Sequence, residues 1–274
     1  MTALRYLRDT GLAWLLFAAC AGALAQTQTP SATYEPAVGQ EGKDVVWVPT
    51  PQTLVNKMLD MANLTPQDFH MDLGSGDGRT VITAAKRGAR AHGIEYNPDM
   101  VELSKRNAAK EGVTGKATFA KADLFKSDFS RASVITMFLL PDINLKLRPQ
   151  ILNLKPGTRV VSNSFTMGDW NADETASVGD GCSSWCTAYL WIVPAKVAGT
   201  WKLPQGELTL KQEFQMLSGT LQAGGKSLPL RDAKVRGDEI VFTAGGTQYT
   251  GKINGTRIDG STRNGAAWSA TRAG

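Results

Sequence analysis

Asp72 stands two residues before the first of three glycines spaced by two, in the run Met71-Asp72-Leu73-Gly74-Ser75-Gly76-Asp77-Gly78. A dinucleotide turn of the G-x-G-x-x-G type needs its third glycine where this chain has Arg79, because that residue lets helix and strand pack closely behind the pyrophosphate. Gly78 comes one residue early, which weakens a diphosphate reading. An acid-first turn suits instead a ligand with a cationic end, which Asp72 attracts, while Gly74, Gly76 and Gly78 let the backbone approach it around Ser75. Glu95 follows Asp72 by 23 residues and closes the strand-like run Ala91-His92-Gly93-Ile94. An acid at that distance accepts hydrogen bonds from ribose hydroxyls. Asp123 and Leu124 close a third such run, Ala117–Ala122, in position to meet an adenine edge. Tyr96 lies against that adenine or packs in the core. Taken alone, the turn also reads as a tight connection without a ligand, and Glu95 as a solvated strand end; their recurrence in register favours a nucleoside site.

The elements needed to hold these residues are legible around them. Strands are expected at Phe69–Leu73, Ala91–Glu95, Ala117–Ala122, Val134–Phe138 and Arg159–Ser164, alternating with helices as in a parallel sheet covered on both faces. Apolar residues at helical spacing mark a helix within Pro49–Asn63. A second helix runs near Arg79–Arg87 and stops at Gly88. A third starts with Asn97 as cap and Pro98 at its first position, and ends near Gly112. Thr187–Val193 reads as an antiparallel strand of the same sheet. After Pro194 apolar and polar residues alternate and glycines recur at turn spacing, with strands at Glu207–Phe214, Leu217–Ala223, Glu239–Thr243 and Gln248–Ile253. This predicts a small all-β barrel or sandwich.

Acid–glycine turn, ribose acid and third-strand Asp, in this order, resemble the class I S-adenosylmethionine-dependent methyltransferases over roughly residues 45–194. Within that superfamily the chain is most similar to the ATP synthase c-subunit lysine methyltransferase family and its bacterial relatives. The likeness rests on Val48-Pro49-Thr50-Pro51, Asp72 through Arg79, Gly93-Ile94-Glu95-Tyr96-Asn97-Pro98 and Asp123-Leu124-Phe125, and more loosely on Phe138-Leu139-Leu140-Pro141 and Phe165…Trp170. It implies a Rossmann-like fold and S-adenosylmethionine held by Asp72, Gly74, Ser75, Gly76, Gly78, Glu95, Tyr96, Asp123 and Leu124. It further implies lysine N-methylation, without identifying the acceptor.

Methyl transfer from a sulfonium is an in-line displacement with a good leaving group, so positioning and exclusion of water matter more than a general base. Phe138, Leu139 and Pro141 fit an apolar acceptor channel that disfavours an ammonium. The same residues read equally as a strand end capped by core residues and a helix start. An Asn-Pro-Pro-Tyr-type motif does not occur, which argues against methylation of nucleobases. His70 and His92 read as core histidines, and Asn163 and Trp170 as rim candidates on loops beyond the fifth strand. A metal site is disfavoured, with two histidines in the chain and the cysteines spaced C-x-x-x-C.

The first 25 residues carry Arg5 and Arg8, an apolar run Gly11–Ala25 and the close Ala23-Leu24-Ala25. That is the pattern of a secretory signal peptide, too short for an ordinary spanning helix. An uncleaved anchor or a misplaced start is the alternative, and Cys20 as a lipidation site is disfavoured by Phe17. Export to an oxidising compartment, the periplasm, would leave Cys182 and Cys186 as an even pair closing a local loop. Residues 26–44 are expected to be a linker, 45–194 the methyltransferase domain and 195–274 the β module. Gln26–Pro194 holds 17 basic and 18 acidic residues, and Ala195–Gly274 holds 11 and 6. The positive balance therefore sits in the β module, where it suits an anionic surface or simply a solvated face. Without a basic cluster interleaved with aromatics, nucleic acid is not an expected partner. Two rival functions remain at this level: a catalytically silent exported binding protein on a methyltransferase scaffold, and a methyltransferase acting on a lipid or other small molecule.

Overall fold

Alternating apolar strands and amphipathic helices build a seven-stranded sheet in the computed structural model of the chain, which describes residues 34–204 and 206–273. The strands are β1 (Phe69–Leu73), β2 (Arg90–Glu95), β3 (Ala117–Lys121), β4 (Val134–Met137), β5 (Arg159–Asn163), β6 (Glu174–Ser177) and β7 (Thr187–Ile192). Their order is β3-β2-β1-β4-β5-β7-β6. The first five run parallel, and β7 is antiparallel to both β5 and β6. Order reverses between β1 and β4, and a crevice opens beyond the carboxyl ends of strands at such a switch point. The expected signal peptide lies outside the described residues, and none of the described helices is long and apolar enough to cross a membrane.

Helices α1 (Gln52–Met61), α2 (Arg79–Lys86), α3 (Pro98–Lys110) and α4 (Pro141–Ile151) cover the sheet. The predicted cap of α3 is in place: Asn97 Oδ1 accepts from the backbone N–H groups of Asp99 at 2.9 Å and Met100 at 3.4 Å, with Pro98 opening the helix. The third, fourth and fifth strands each end one residue earlier than the sequence predicts. The residues released, Ala122, Phe138 and Ser164, begin the loops over the crevice. Residues 34–44, expected to be linker, instead fold onto the domain. Gly39 N–H donates to Trp47 O at 2.9 Å and Trp47 N–H to Gln40 O at 2.8 Å, closing a small hairpin-like strap.

Beyond Val197 the chain forms a closed antiparallel barrel, which decides between the two β architectures expected. Its strands are β8 (Gly199–Leu203), β9 (Gly206–Glu213), β10 (Met216–Ala223), β12 (Arg231–Arg236), β13 (Glu239–Ala244), β14 (Thr247–Asn254), β15 (Arg257–Thr262) and β16 (Ala267–Arg272), with the short β11 (Lys226–Pro229) beside β10. Pairing of β9 with both β8 and β10 closes the ring and removes the exposed edges. Gly224-Gly225 and Gly245-Gly246 form two-residue hairpin loops with φ positive at both positions, a conformation glycine adopts without steric cost. Trp201, Leu208, Phe242 and Ile258 fill the interior.

The barrel docks at the edge of the sheet where β5 and β6 begin. Ala195 N–H donates to Gly237 O at 2.7 Å, Gln215 Nε2 to Asn171 O at 2.8 Å, and Arg236 pairs with Glu174 at 2.8 Å. Phe214 stacks on Trp170 with centroids 5.9 Å apart. Trp170 is therefore fully buried in this contact and is not on the rim of the crevice, where its place in the sequence suggested it.

Candidate active site

The acid–glycine turn packs under one end of a cavity of about 540 Å³ at the carboxyl ends of β1, β2 and β4. Gly74, Gly76 and Gly78 all have positive φ, at 79°, 53° and 83°, where any side chain strains the backbone. A Cβ on Gly76 would lie 2.7 Å from the indole Nε1 of Trp47, and one on Gly74 3.1 Å from Leu139. Gly78 does a different job. It caps α2, and a Cβ there would meet the Phe119 ring and Ser104 at 2.9 Å; it is outside the cavity lining.

Of the six acidic residues lining the cavity, three come from the ends of three neighbouring strands. Asp72 is buried, accepts from the Thr136 hydroxyl at 2.6 Å, and its pKa is pushed up to about 7 by desolvation, with the charges of Glu95 and Asp77 adding to the rise. Glu95 accepts from Gly76 N–H and Asn97 N–H, each at 2.9 Å. These two contacts fix its side chain, and each oxygen keeps a further lone pair for a ligand. Asp123 accepts from Phe125 N–H at 3.0 Å and pairs with Lys43 at 3.1 Å, and the lysine's hydrogen bond holds its carboxyl below the ordinary range. Ser75 lines the cavity, while its buried Oγ turns toward Gly93, where a Cβ would come within 2.5 Å of it. Tyr96 lies half-exposed at the wall and Leu124 lines it beside Asp123. Carboxylates and close-approach glycines together suit a nucleoside with a cationic tail.

His70 is a core histidine, as its position in a strand predicts. Its Nε2 lies 2.8 Å from Thr136 Oγ1, and burial drives its pKa down to about 3, so the ring is neutral. With Asp72 ionised, Thr136 gives its only proton to the carboxylate, and His70 Nε2–H donates to the same hydroxyl. His92 is half-buried on β2, beside Thr118, with its pKa lowered by burial. Asn163 is fully buried and donates to Thr50 Oγ1 at 3.2 Å, anchoring the segment that leads from the strap into α1 instead of facing substrate.

Among the residues lining the cavity none after Asp123 is charged: Leu124, Met137, Phe138, Leu139, Leu140, Ile143, Phe165 and Trp185, with Leu139 packed against Gly74 of the turn. Phe138 and Leu139 line the cavity, whereas Pro141 opens α4 and does not. Sequence reasoning missed three contributors. The strap brings Lys43 and Trp47 over the cavity, Thr136 steadies Asp72, and Trp185 comes from the loop between β6 and β7. The apolar run Val45-Val46-Trp47-Val48 was the available signal for the strap. Among the described residues no group of three or more His, Cys, Asp or Glu side chains is placed to hold a metal ion.

A family model described as the ANTKMT methyltransferase domain matches residues 72–174. A protein-lysine N-methyltransferase of Saccharolobus islandicus is 43% identical over 152 residues, covering 54% of this chain and 94% of that protein. The human ATP synthase c-subunit lysine N-methyltransferase is 40% identical over 110 residues, 40% of this chain and 47% of its own length, so the chain spans about half of that relative. Among solved structures, an RNA methyltransferase from Salinibacter ruber in complex with S-adenosyl-L-homocysteine is 44% identical with a TM-score of 0.52, covering 55% of this chain and 96% of that one.

Proposed function

The chain belongs to the S-adenosylmethionine-dependent protein-lysine N-methyltransferase family, and on that premise we propose that it methylates the ε-amino group of lysine in a protein. The observation that carries this reading is a single cavity lined both by the carboxylates of three strand ends and by the uncharged aromatic residues Phe138, Phe165 and Trp185. Bound S-adenosylmethionine supplies an electrophilic methyl group on a sulfonium that leaves as a neutral thioether. The protein's own residues do the rest. Glu95 is set to accept from the ribose hydroxyls, Asp123 to meet the adenine edge, and ionised Asp72 to attract the cationic tail. Phe138 and Leu139 wall the approach to the methyl group. An ammonium passing beyond Phe138 loses hydration, so the neutral amine is favoured and its lone pair becomes available. On transfer the amine would give its surplus proton to water.

A direct test incubates the full chain with S-adenosylmethionine labelled in its methyl group, against a lysine-rich protein fraction, a lipid extract and total RNA. Acid hydrolysis of the labelled protein should yield methyl-lysine. Label confined to lipid or RNA would refute the lysine reading while leaving the methyltransferase intact.

For the compartment, we propose export to the periplasm. The basic-apolar leader with its Ala-Leu-Ala close and the Cys182–Cys186 disulfide support it. S-adenosylmethionine is made in the cytosol, so this reading requires that the protein meet its cofactor before or during export. Fractionation of cells making the full chain should recover a protein shortened by about the length of a leader in the periplasmic fraction. Recovery of the uncut chain in the cytosol would refute export.

A further inference from the structure

Successive strands across the switch point carry a row of side chains that leads away from Asp72. Phe138 follows β4, Phe165 follows β5, and Trp185 precedes the antiparallel β7, so all three emerge at the same edge of the sheet. Their rings touch. Phe138 stacks on Phe165 with centroids 6.0 Å apart, and Trp185 lies 5.2 Å from Phe165 and 6.1 Å from Phe138. Trp185 is 46% exposed and lines the cavity, so its indole presents a face to whatever enters.

Such an exposed indole is costly to hold in place unless something fixes it. Trp185 has φ of +59°, a left-handed conformation that a bulky residue adopts only when its surroundings impose it. The Cys182–Cys186 disulfide closes the five-residue loop around it. Cys186 O accepts from Val178 N–H at 3.0 Å, and a Cβ on Gly181 would lie 3.2 Å from Thr53 of α1, which seats the loop on the domain.

Resting on the lysine reading above, we propose that Phe138, Phe165 and Trp185 form an aromatic face that binds the acceptor's alkylammonium side chain, and that the Cys182–Cys186 bridge is a positioning device for Trp185. The π-faces attract a cation, and they pack equally well against the lysine's methylene stem. An acceptor captured as the ammonium can then lose its proton deeper in the cavity, past Phe138.

The test uses the full chain saturated with S-adenosylhomocysteine, so that no turnover intervenes. The probe is a five-residue acetylated and amidated peptide, Ala-Leu-Lys-Leu-Ala, alongside its norleucine analogue, with binding read by broadening of the peptide's NMR signals. Trp185→Ala should weaken the lysine peptide about tenfold, and Trp185→Phe should restore most of the loss. The Cys182→Ser/Cys186→Ser double variant should give an intermediate loss, and all variants should keep wild-type affinity for S-adenosylhomocysteine. The norleucine peptide should bind more weakly and respond less to Trp185→Ala. Wild-type peptide affinity in Trp185→Ala, equal binding of both peptides, or no peptide binding at all would overturn the aromatic face. Wild-type affinity in the double-serine variant would overturn the role of the bridge, and loss of S-adenosylhomocysteine binding in Trp185→Ala would move Trp185 into the cofactor site. Methylation separates the two readings. Unchanged methylation by Trp185→Ala sinks the face alone, and Trp185-dependent binding without methyl-lysine in any acceptor sinks the lysine reading alone.

Discussion

Asp72 is the residue whose chemistry is most unlike its sequence neighbours'. Its pKa of about 7 means that the folded protein holds a proton which the unfolded chain releases near 3.8. Protonated Asp72 therefore contributes stability that is fully present below about pH 4 and is lost as pH rises to 7. Asp72→Asn should raise the melting temperature of the ligand-free protein at pH 8 and flatten this pH dependence. The same substitution should weaken S-adenosylmethionine binding more than tenfold, because a charge-assisted contact to the cationic tail is lost. In the wild type, binding to the ionised form should release protons below pH 7, and affinity should fall about fivefold between pH 7 and pH 6. Calorimetry in two buffers of different ionisation enthalpy checks this. Glu95 and Asp77 face Asp72 and raise its pKa, so the window should move down in variants that neutralise either. Gly76→Ala is the complementary change. A Cβ there meets Trp47 at 2.7 Å on a backbone with φ of +53°, and a cost of about 1–3 kcal/mol in stability is expected from denaturant titration.

Elements with strong local signals were readable, and those made by tertiary contact were not. β1, β2, α2 and α3 each combine an apolar period with a cap, a proline or a glycine stop, and the structure places them within a residue or two of expectation. The acids at the ends of β1 and β2 and the one just past β3 were legible for the same reason: turn grammar fixes them to strand ends. β6 has no such mark, being four mostly exposed residues that exist because β7 offers them an edge. α4 was read only as a helix start, since Pro149 interrupts its pattern. The strap was misread because its linker-like composition hides the pairing of Gly39 and Gln40 with Trp47. Its Lys43 holds Asp123 and lies 4.9 Å from the centre of the Tyr96 ring, on ground the adenine is proposed to use. Lys43→Ala should therefore tighten cofactor binding a few-fold in a direct titration, through an exposed contact of modest strength that salt screens.

At the scale of the whole molecule, all cavity-lining residues lie between Gln40 and Trp185, and the barrel contributes none. The barrel instead buries the Trp170–Phe214 stack against the edge of the sheet remote from the site. Phe214→Ala should cost about 1–2 kcal/mol of stability, since the ring is half-buried, with cofactor affinity unchanged. A parallel loss of affinity would show the two modules to be coupled. The three-strand set of carboxylates is proposed to hold the cofactor. Calorimetric titration of S-adenosylmethionine into the full chain, beside Glu95→Ala with thermal unfolding as the folding control, tests it most directly. Micromolar binding by the wild type, weakened at least a hundredfold in the variant by the loss of charged ribose contacts, is the result expected. A folded wild type that does not bind, or a Glu95→Ala variant that binds as well as the wild type, would contradict it.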